Sequence, residues 1–302
     1  MHLHRFGSDV VVHAPAKLNL FLEVLGRRPD GYHDIETLAT PIGFYDTLYF
    51  RDRDDEQVTF TCQKAYGAGM PAGSWLEGFP DGPENLVVRA VELLRRSAGV
   101  RRGASLRLDK RIPTVAGLGG GSSDAAAALM AANVVWNLGW SGEELAKLGA
   151  ELGSDVPLFL AHGPAVCRGR GERVQSISGP AGLHFVLARP PVGLSTADVY
   201  RACRPPRDPR SVQPVVEALE KGDLREIGRR LFNRLEPAAE SLSPWIGRLR
   251  EAMSRMDCLG HGMSGSGTCL FGLCRHARHA RRVARRLRAT GVGIALAVQG
   301  SC

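Results

Sequence analysis

A run of small residues, Gly117-Leu-Gly-Gly-Gly-Ser-Ser-Asp124, leads directly into an alanine-rich segment and is the strongest chemical signal in this chain. Glycine has no Cβ, so the backbone N–H groups around it can converge on one anion. A helix that begins here adds unpaired N–H groups and the positive end of its dipole, which suits a phosphate. Ser122 and Ser123 can cap that helix, donate to phosphate or help hold a metal. We therefore predict phosphate binding; a glycine-rich turn that binds nothing is the alternative.

Two common phosphate-binding scaffolds do not fit this loop. The Walker loop ends in Gly-Lys-Ser/Thr, and the sequence contains no such tripeptide. A dinucleotide-binding fold needs an acidic residue at the end of a second strand about 20 residues downstream. Here helix-forming sequence continues to Asn137 instead, and another helix is predicted after it.

Three polar groups elsewhere can serve phosphoryl transfer. Lys17 and Asn19 alternate with apolar residues, which places both on one face of a predicted strand. Lys17 is costly in such a strand unless it meets an anion; a lysine that reaches solvent at the strand edge is the alternative. Asp155 can position or deprotonate a substrate hydroxyl, or it can simply cap a helix that contains Pro157. The small-residue turn at 263–267 either lets a ligand approach or makes a tight connection.

Alternating strand and helix patterns must position these groups, and they predict an α+β fold in two lobes. The segment 64–83 is rich in glycine and proline and is predicted to form a long loop. We predict strands at 10–25, 46–53, 58–62, 104–108, 185–189, 269–273 and 293–298. We predict helices at 85–98, 123–137, 142–152, 212–220, 224–231, 244–256 and 275–288.

Composition narrows the function classes. The 302 residues carry a net charge of +8, which suits an anionic partner. Seven arginines lie in 275–288, but no aromatic residue interleaves with them, so we expect a solvated helix face and no nucleic-acid site. Seven cysteines form no CxxC pair, which argues for reduced thiols and against a zinc site. No segment resembles a membrane span or signal peptide, so we expect a cytoplasmic protein and no membrane partner.

Three segments, APAKLNLFLEV, PTVAGLGGGSSDAAAAL and GMSGSGTCLFGL, together resemble the GHMP kinases. The resemblance covers nearly the whole chain in the right order. It implies a two-lobed GHMP kinase fold, with an N-terminal lobe over 1–165 like domain 2 of ribosomal protein S5. The C-terminal lobe, 166–302, would be ferredoxin-like. It also implies ATP and Mg²⁺, with transfer of the γ-phosphate to a substrate hydroxyl.

Further segments resemble one branch of that family, whose anionic substrate is a cytidine diphosphate-linked methylerythritol of the non-mevalonate isoprenoid pathway. They are RRPDGYHDIETL, GSDVPLFL, GRGE, LSTADVY and FNRLEP. The branch implies phosphorylation of the substrate's 2-hydroxyl. A related kinase of homoserine or mevalonate is the alternative, since such enzymes have no need of residues that grip a cytosine ring.

The resemblance also implies residue roles. Lys17 and Asp155 would be the catalytic pair. Positions that bind ATP match Asn85, Leu86, Lys110, Pro113, Ala116, Gly117, Leu118, Gly119, Gly120, Gly121, Ser122, Ser123 and Asp124; the metal ligands stay unknown. Positions that bind the substrate match Asn19, Tyr32, His33, Thr196, Tyr200, Gly265, Ser266 and Gly267, with Tyr32, His33 and Tyr200 at the cytosine. Val115 departs from the family, which often has glycine before AGLGGGSS.

Overall fold

A computed structural model of the protein describes residues 1–7, 9–65, 80–180 and 182–300. The chain forms two sheets with helices packed on them, so the predicted α+β class is confirmed. No helix within those ranges is long and apolar enough to cross a membrane. Most of the predicted loop at 64–83 lies outside the described residues.

The first sheet is built on one long hairpin, β2 (Asp9–Arg27) and β3 (His33–Arg53), which pair antiparallel. The order β1-β2-β3-β5-β4 continues on both sides of it. A register shift between Asn19 and Phe21 interrupts the ladder beside Lys17, and such irregularities re-aim side chains. The other strands of this sheet are β1 (His2–Phe6), β4 (Val58–Lys64), β5 (Gly103–Lys110), β6 (Ala165–Gly169), β7 (Arg173–Ser176) and β9 (Phe232–Asn233).

Four helices cover one side of this sheet: α1 (Leu86–Ala98), α2 (Gly120–Val135), α3 (Gly142–Leu152) and α4 (Val156–Leu160). Helix α2 is buried on almost every side, between the sheet and the other helices. Its run of alanines permits this, because small side chains let neighbouring backbones approach closely. The central helix is therefore held by the core along most of its length, while its first turn, where Gly120 and Gly121 lie, borders the cleft.

The second sheet has the order β10-β11-β8-β12 and is antiparallel throughout. Its strands are β8 (His184–Arg189), β10 (Gly260–Met263), β11 (Leu270–Cys274) and β12 (Ile294–Gln299). Helices α5 (Thr196–Ala202), α6 (Gln213–Glu220), α7 (Leu224–Arg230), α8 (Glu236–Leu242) and α9 (Pro244–Ser254) separate β8 from β10, and α10 (Ala277–Ala289) separates β11 from β12. This order of strands and helices is that of a ferredoxin-like lobe.

The division between the predicted lobes, residues 165 and 166, falls at the start of β6. Strands β6 and β7 pair with the first sheet through β3, and β9 returns to pair with β2. Strand pairing therefore assigns 165–176 to the first sheet. The division into two lobes, 1–165 and 166–302, stays a proposal.

Candidate active site

One cleft of about 1090 Å³ gathers the residues that the sequence singled out. Lys17 and Asp155, the nucleotide set and the substrate set all line it, with two exceptions. Ser123 is completely buried and does not line the cleft, and neither does Gly267. The two exceptions lie beside lining residues, so each can act on the cleft only through its backbone or its neighbours.

The phosphate loop, residues 117–124, has the open backbone that its glycines predict. Helix α2 begins at Gly120, three residues before the predicted start, and no side chain caps it. The expectation that Ser122 or Ser123 caps this helix is therefore wrong, because both already lie inside its first turn. The first N–H groups of α2 have no capping side chain and lie beside the cleft, as anion binding requires.

Glycine is required in this loop by close packing as well as by φ. Gly119 has φ +70°, and a Cβ there would lie 2.9 Å from the Phe159 ring and 3.1 Å from Lys17 Cγ. The backbone of Lys17 also donates to Leu118 O at 2.9 Å. The loop therefore packs directly on the strand that carries the predicted catalytic lysine.

Lys110 lies behind the loop in a buried ion cluster. Its Nζ contacts Asp124 Oδ2 at 2.7 Å and also donates to Asp46 Oδ2. Burial by itself would lower the pKa of Lys110, but the carboxylates of Asp124 and Asp46 outweigh it and raise that pKa. Burial also raises the pKa of Asp124, although Lys110 opposes this. Lys110 and Asp124 thus anchor the start of α2, while a role in binding ATP stays a prediction.

Asn85 is also held by structural contacts. It is the N-cap of α1, where its Oδ1 accepts from Val87 N at 2.9 Å and its Nδ2 donates to Pro80 O at 2.6 Å. Leu86 is the first residue of that helix and packs beside Gly121 of the phosphate loop. Asn85 and Leu86 both line the cleft, and their predicted contact with ATP stays a prediction.

Lys17 and Asn19 share a strand face, as their alternation predicts. The Lys17 ammonium donates to Asn19 Oδ1, and Asn19 Nδ2 donates to Thr37 Oγ1 at 2.8 Å. Both side chains are almost fully buried. The alternative of a lysine that reaches solvent at the strand edge is therefore excluded.

Asp155 faces this pair across the cleft, with Oδ2 3.6 Å from Lys17 Nζ. It occupies the N-cap position of α4, yet its side chain makes no capping hydrogen bond. The carboxylate is 39% exposed and lies beside Gly171 of the β6–β7 turn. Asp155 is thus a cap by backbone position only, and its carboxylate is directed towards Lys17.

The far end of the cleft is aromatic. The rings of His33 and Tyr200 lie 5.2 Å apart at a 36° angle, and the Arg170 guanidinium lies 4.8 Å from the centre of the Tyr32 ring. Burial, followed by the charge of Arg27, lowers the pKa of His33, which keeps its imidazole neutral near pH 7. Rings in this arrangement can stack with a flat heterocycle and bond to its edge.

The glycine-serine turn, residues 263–267, connects these features. Ser264 Oγ donates to Gly117 O at 2.9 Å and accepts from Asn19 N at 3.2 Å. The hydroxyls of Ser266 and Thr196 lie 2.9 Å apart. The turn is therefore a bridge between the phosphate loop, the strand of Lys17 and helix α5.

Two residues that line the cleft escaped sequence reasoning. Arg170 lines the cleft because the turn between β6 and β7 directs it towards Tyr32. Thr37 orients Asn19 from strand β3. The GRGE segment could have indicated Arg170, since two glycines that flank an arginine predict a tight backbone turn with the arginine side chain exposed. Nothing in the pattern around Thr37 distinguishes it.

Comparisons with known proteins agree with this geometry. The sequence matches the GHMP kinases N terminal domain over 85–163 and the GHMP kinases C terminal domain over 215–293. It is 45% identical to a 4-diphosphocytidyl-2-C-methyl-D-erythritol kinase of Pelotomaculum thermopropionicum, over 92% of this chain and 93% of that protein.

Solved structures show the same relation. A crystal structure of 4-(cytidine 5'-diphospho)-2C-methyl-D-erythritol kinase superimposes with a TM-score of 0.78 and 37% identity, and the match covers 97% of this chain and 100% of the other. A homoserine kinase from Cytophaga hutchinsonii has a TM-score of 0.76 over 100% and 97% of the two chains, but its 20% identity indicates a shared fold alone. The chain is therefore a GHMP kinase and belongs to the family of 4-diphosphocytidyl-2-C-methyl-D-erythritol kinases.

Proposed function

We propose that this protein transfers the γ-phosphate of ATP to the 2-hydroxyl of 4-diphosphocytidyl-2-C-methyl-D-erythritol. The observation that carries the proposal is the order of groups along one cleft. Lys17 packs on Gly119 of the phosphate loop, and its ammonium lies 3.6 Å from the Asp155 carboxylate. That carboxylate lies beside the β6–β7 turn, which holds Arg170 against the Tyr32 ring. Such an order suits a substrate whose base and reacting hydroxyl are far apart.

In the proposed reaction Asp155 orients the substrate hydroxyl and accepts its proton as the new oxygen–phosphorus bond forms. The bond between the γ-phosphorus and the bridging oxygen breaks, and ADP leaves. Lys17 supplies positive charge beside the phosphate loop, where charge spreads over the transferring group. Asn19 holds the Lys17 ammonium towards the cleft, because it accepts a hydrogen bond from it.

The phosphate loop also offers oxygen atoms that fit Mg²⁺. Asp124 Oδ1 is buried without a hydrogen-bond partner among the described residues, and the Ser122 side chain lines the cleft. In phosphoryl-transfer sites Mg²⁺ is commonly held by one or two side chains together with phosphate oxygens of the substrate. When bound, Mg²⁺ neutralises charge on the β- and γ-phosphates. We propose Ser122 and Asp124 as its protein contacts.

The experiment is an ADP-release assay with three alcohols: the cytidyl substrate, homoserine and mevalonate. We expect turnover with the cytidyl substrate alone, since only that alcohol can use the aromatic end of the cleft. Faster turnover of homoserine or mevalonate would overturn the proposed substrate.

We retain the expectation of a cytoplasmic enzyme as part of the same proposal.

The catalytic pair is tested by Asp155→Asn, which keeps shape and removes charge. We expect kcat to fall by about 100-fold or more, because a general base contributes on the order of 10²–10⁴. Asp9→Asn is a matched control, since Asp9 is also a partly exposed carboxylate, paired with Arg51 at 2.7 Å, and it does not line the cleft. Near-normal turnover by D155N with an unchanged circular dichroism spectrum would refute the role of Asp155.

A further inference from the structure

A short segment, residues 232–237 with the sequence Phe-Asn-Arg-Leu-Glu-Pro, joins the strand of Lys17 to the glycine-serine turn. It starts as β9, which pairs in parallel with β2, and it continues into α8. The structure describes all six residues, and none of them lines the cleft. Any effect of this segment on catalysis must therefore act through residues that it holds.

Arg234 fastens the segment to β2. Its guanidinium donates to both carboxylate oxygens of Glu23, at 2.7 and 2.8 Å, and its backbone N–H donates to Leu22 O at 2.8 Å. Glu23 is fully buried. Removing one partner of a buried ion pair is strongly destabilising, so this attachment is firm. The segment and the strand of Lys17 therefore form one rigid unit.

Asn233 fastens the same unit to the glycine-serine turn. Its Nδ2 donates to Met263 O at 2.8 Å and to Gly265 O at 2.7 Å, while its Oδ1 accepts from Leu235 N at 2.9 Å. The side chain is only 5% exposed. Both N–H donors and the oxygen acceptor of the Asn233 amide thus have hydrogen-bond partners inside the protein.

The turn that Asn233 holds is in contact with Lys17 and with the phosphate loop. A Cβ on Gly265 would lie 3.2 Å from Lys17 Nζ and 3.1 Å from Gly117 O. Ser264 adds the hydrogen bond to Gly117 O at 2.9 Å. A shift of the turn by one ångström would therefore displace the phosphate loop relative to the lysine.

We infer that Asn233 is a positioning residue, which sets the glycine-serine turn against Lys17 and the phosphate loop and so aligns the phosphoryl transfer. The inference rests on the proposed kinase function of this cleft. Asn233 touches neither the lysine nor the loop, and its effect passes through the carbonyls of Met263 and Gly265. Misplacement of reacting groups by about 1 Å lowers rates by roughly 100-fold.

The test is Asn233→Asp, which keeps the shape of the side chain but removes both donors. Asn133→Asp is the matched control, because the Asn133 amide also makes hydrogen bonds to backbone atoms of a loop residue. Its Nδ2 donates to Trp140 O at 2.9 Å, and its Oδ1 accepts from Trp140 N at 3.0 Å. Asn133 does not line the cleft. Each variant is assayed for kcat, for KM of both substrates and for its midpoint of thermal unfolding.

We expect N233D to lose about 100-fold in kcat with both KM values within about threefold of wild type. N133D should unfold at a lower temperature but keep its kcat. A kcat of N233D within threefold of wild type, or a loss confined to KM, would overturn the inference. Asn233→Ser, which keeps one donor and adds no charge, replaces N233D if that variant does not fold. If neither folds while N133D does, Asn233 is merely structural and the inference is wrong.

The wild type is first assayed with the three alcohols, and the one that it phosphorylates is used for every variant. A preference for homoserine or mevalonate would then contradict the proposed substrate without touching the test of Asn233. Conversely, a wild type specific for the cytidyl substrate with a fully active N233D would contradict the role of Asn233 alone.

Discussion

Gly117→Ala would separate the phosphate loop from the glycine-serine turn. A Cβ on Gly117 would lie 1.9 Å from Ser264 O, so the two backbones must move apart by about 1.1 Å to reach 3.0 Å, the shortest separation that real Cβ atoms tolerate. Ser264 O is a backbone atom and the position of the Cβ is fixed by the backbone of residue 117, so no side-chain rotation can relieve the clash. A displacement of about 1 Å predicts a loss in kcat of roughly 100-fold.

The free energy of unfolding of the Gly117→Ala variant should fall as well. Gly117 has φ +73°, where an alanine costs about 1–2 kcal/mol. The displacement also breaks the hydrogen bond from Ser264 Oγ to Gly117 O and strains that from Cys269 N to Ala116 O. At about 1 kcal/mol for each bond, we expect the free energy of unfolding to fall by about 3 kcal/mol.

Gly139→Ala separates the effect of the positive φ from the effect of the steric clash. Gly139 has φ +71°, but a Cβ added there would have no atom within 4 Å, and the residue is exposed and remote from the cleft. G139A should lower the free energy of unfolding by about 1 kcal/mol and leave kcat unchanged. The measurements are urea unfolding and ADP release. If G117A kept more than half of wild-type kcat and were no less stable than G139A, the packing argument would be refuted.

Three further predictions concern the aromatic end and the buried ion pair. The lowered pKa of His33 keeps its ring neutral above about pH 6.5, so KM for the cytidyl substrate should rise as pH falls below that value, and H33Q should abolish this rise. Tyr200→Ala should raise the same KM at least tenfold, whereas Tyr49→Ala, outside the cleft, should not. Burial raises the pKa of Glu23, but hydrogen bonds from Arg234 and from two backbone N–H groups together outweigh burial, so that pKa is lowered. The stabilisation is therefore fully present above about pH 4.3 and is lost as the pH falls through the lowered pKa. Glu23→Gln should lower the free energy of unfolding by about 2 kcal/mol at pH 7, measured by urea unfolding.

Elements with a clear period were predicted well. The strand predicted over 10–25 is β2 (Asp9–Arg27), and the helices predicted over 85–98 and 142–152 match α1 and α3 within one residue. The first half of β3 was missed, because residues from Ile35 to Ile42 are buried on both faces and so do not alternate. Strand β9 was missed because it has only two residues and depends on a partner far away in the chain.

Val115 illustrates a departure that the sequence located and the structure explains. The resemblance to the family leads us to expect glycine at this position, and Val115 adopts φ +51°, which is unfavourable for a β-branched residue. Its side chain is 52% exposed and packs beside Gly193. The backbone of the loop entrance thus keeps the conformation that glycine favours, although the residue is different.

Groups whose chemistry depends on their immediate neighbours could be identified from the sequence. Glycines that open backbone N–H groups to an anion, and a period of two that places Lys17 beside Asn19, depend only on neighbours along the chain. Which distant groups lie in contact depends on the packing of the folded chain. Asp155 lies 3.6 Å from Lys17 because α4 packs against β2 through the phosphate loop, and the Asn233 amide reaches Met263 and Gly265 because β9 pairs with β2. Such contacts depend on how separate elements pack, which no short stretch of sequence encodes.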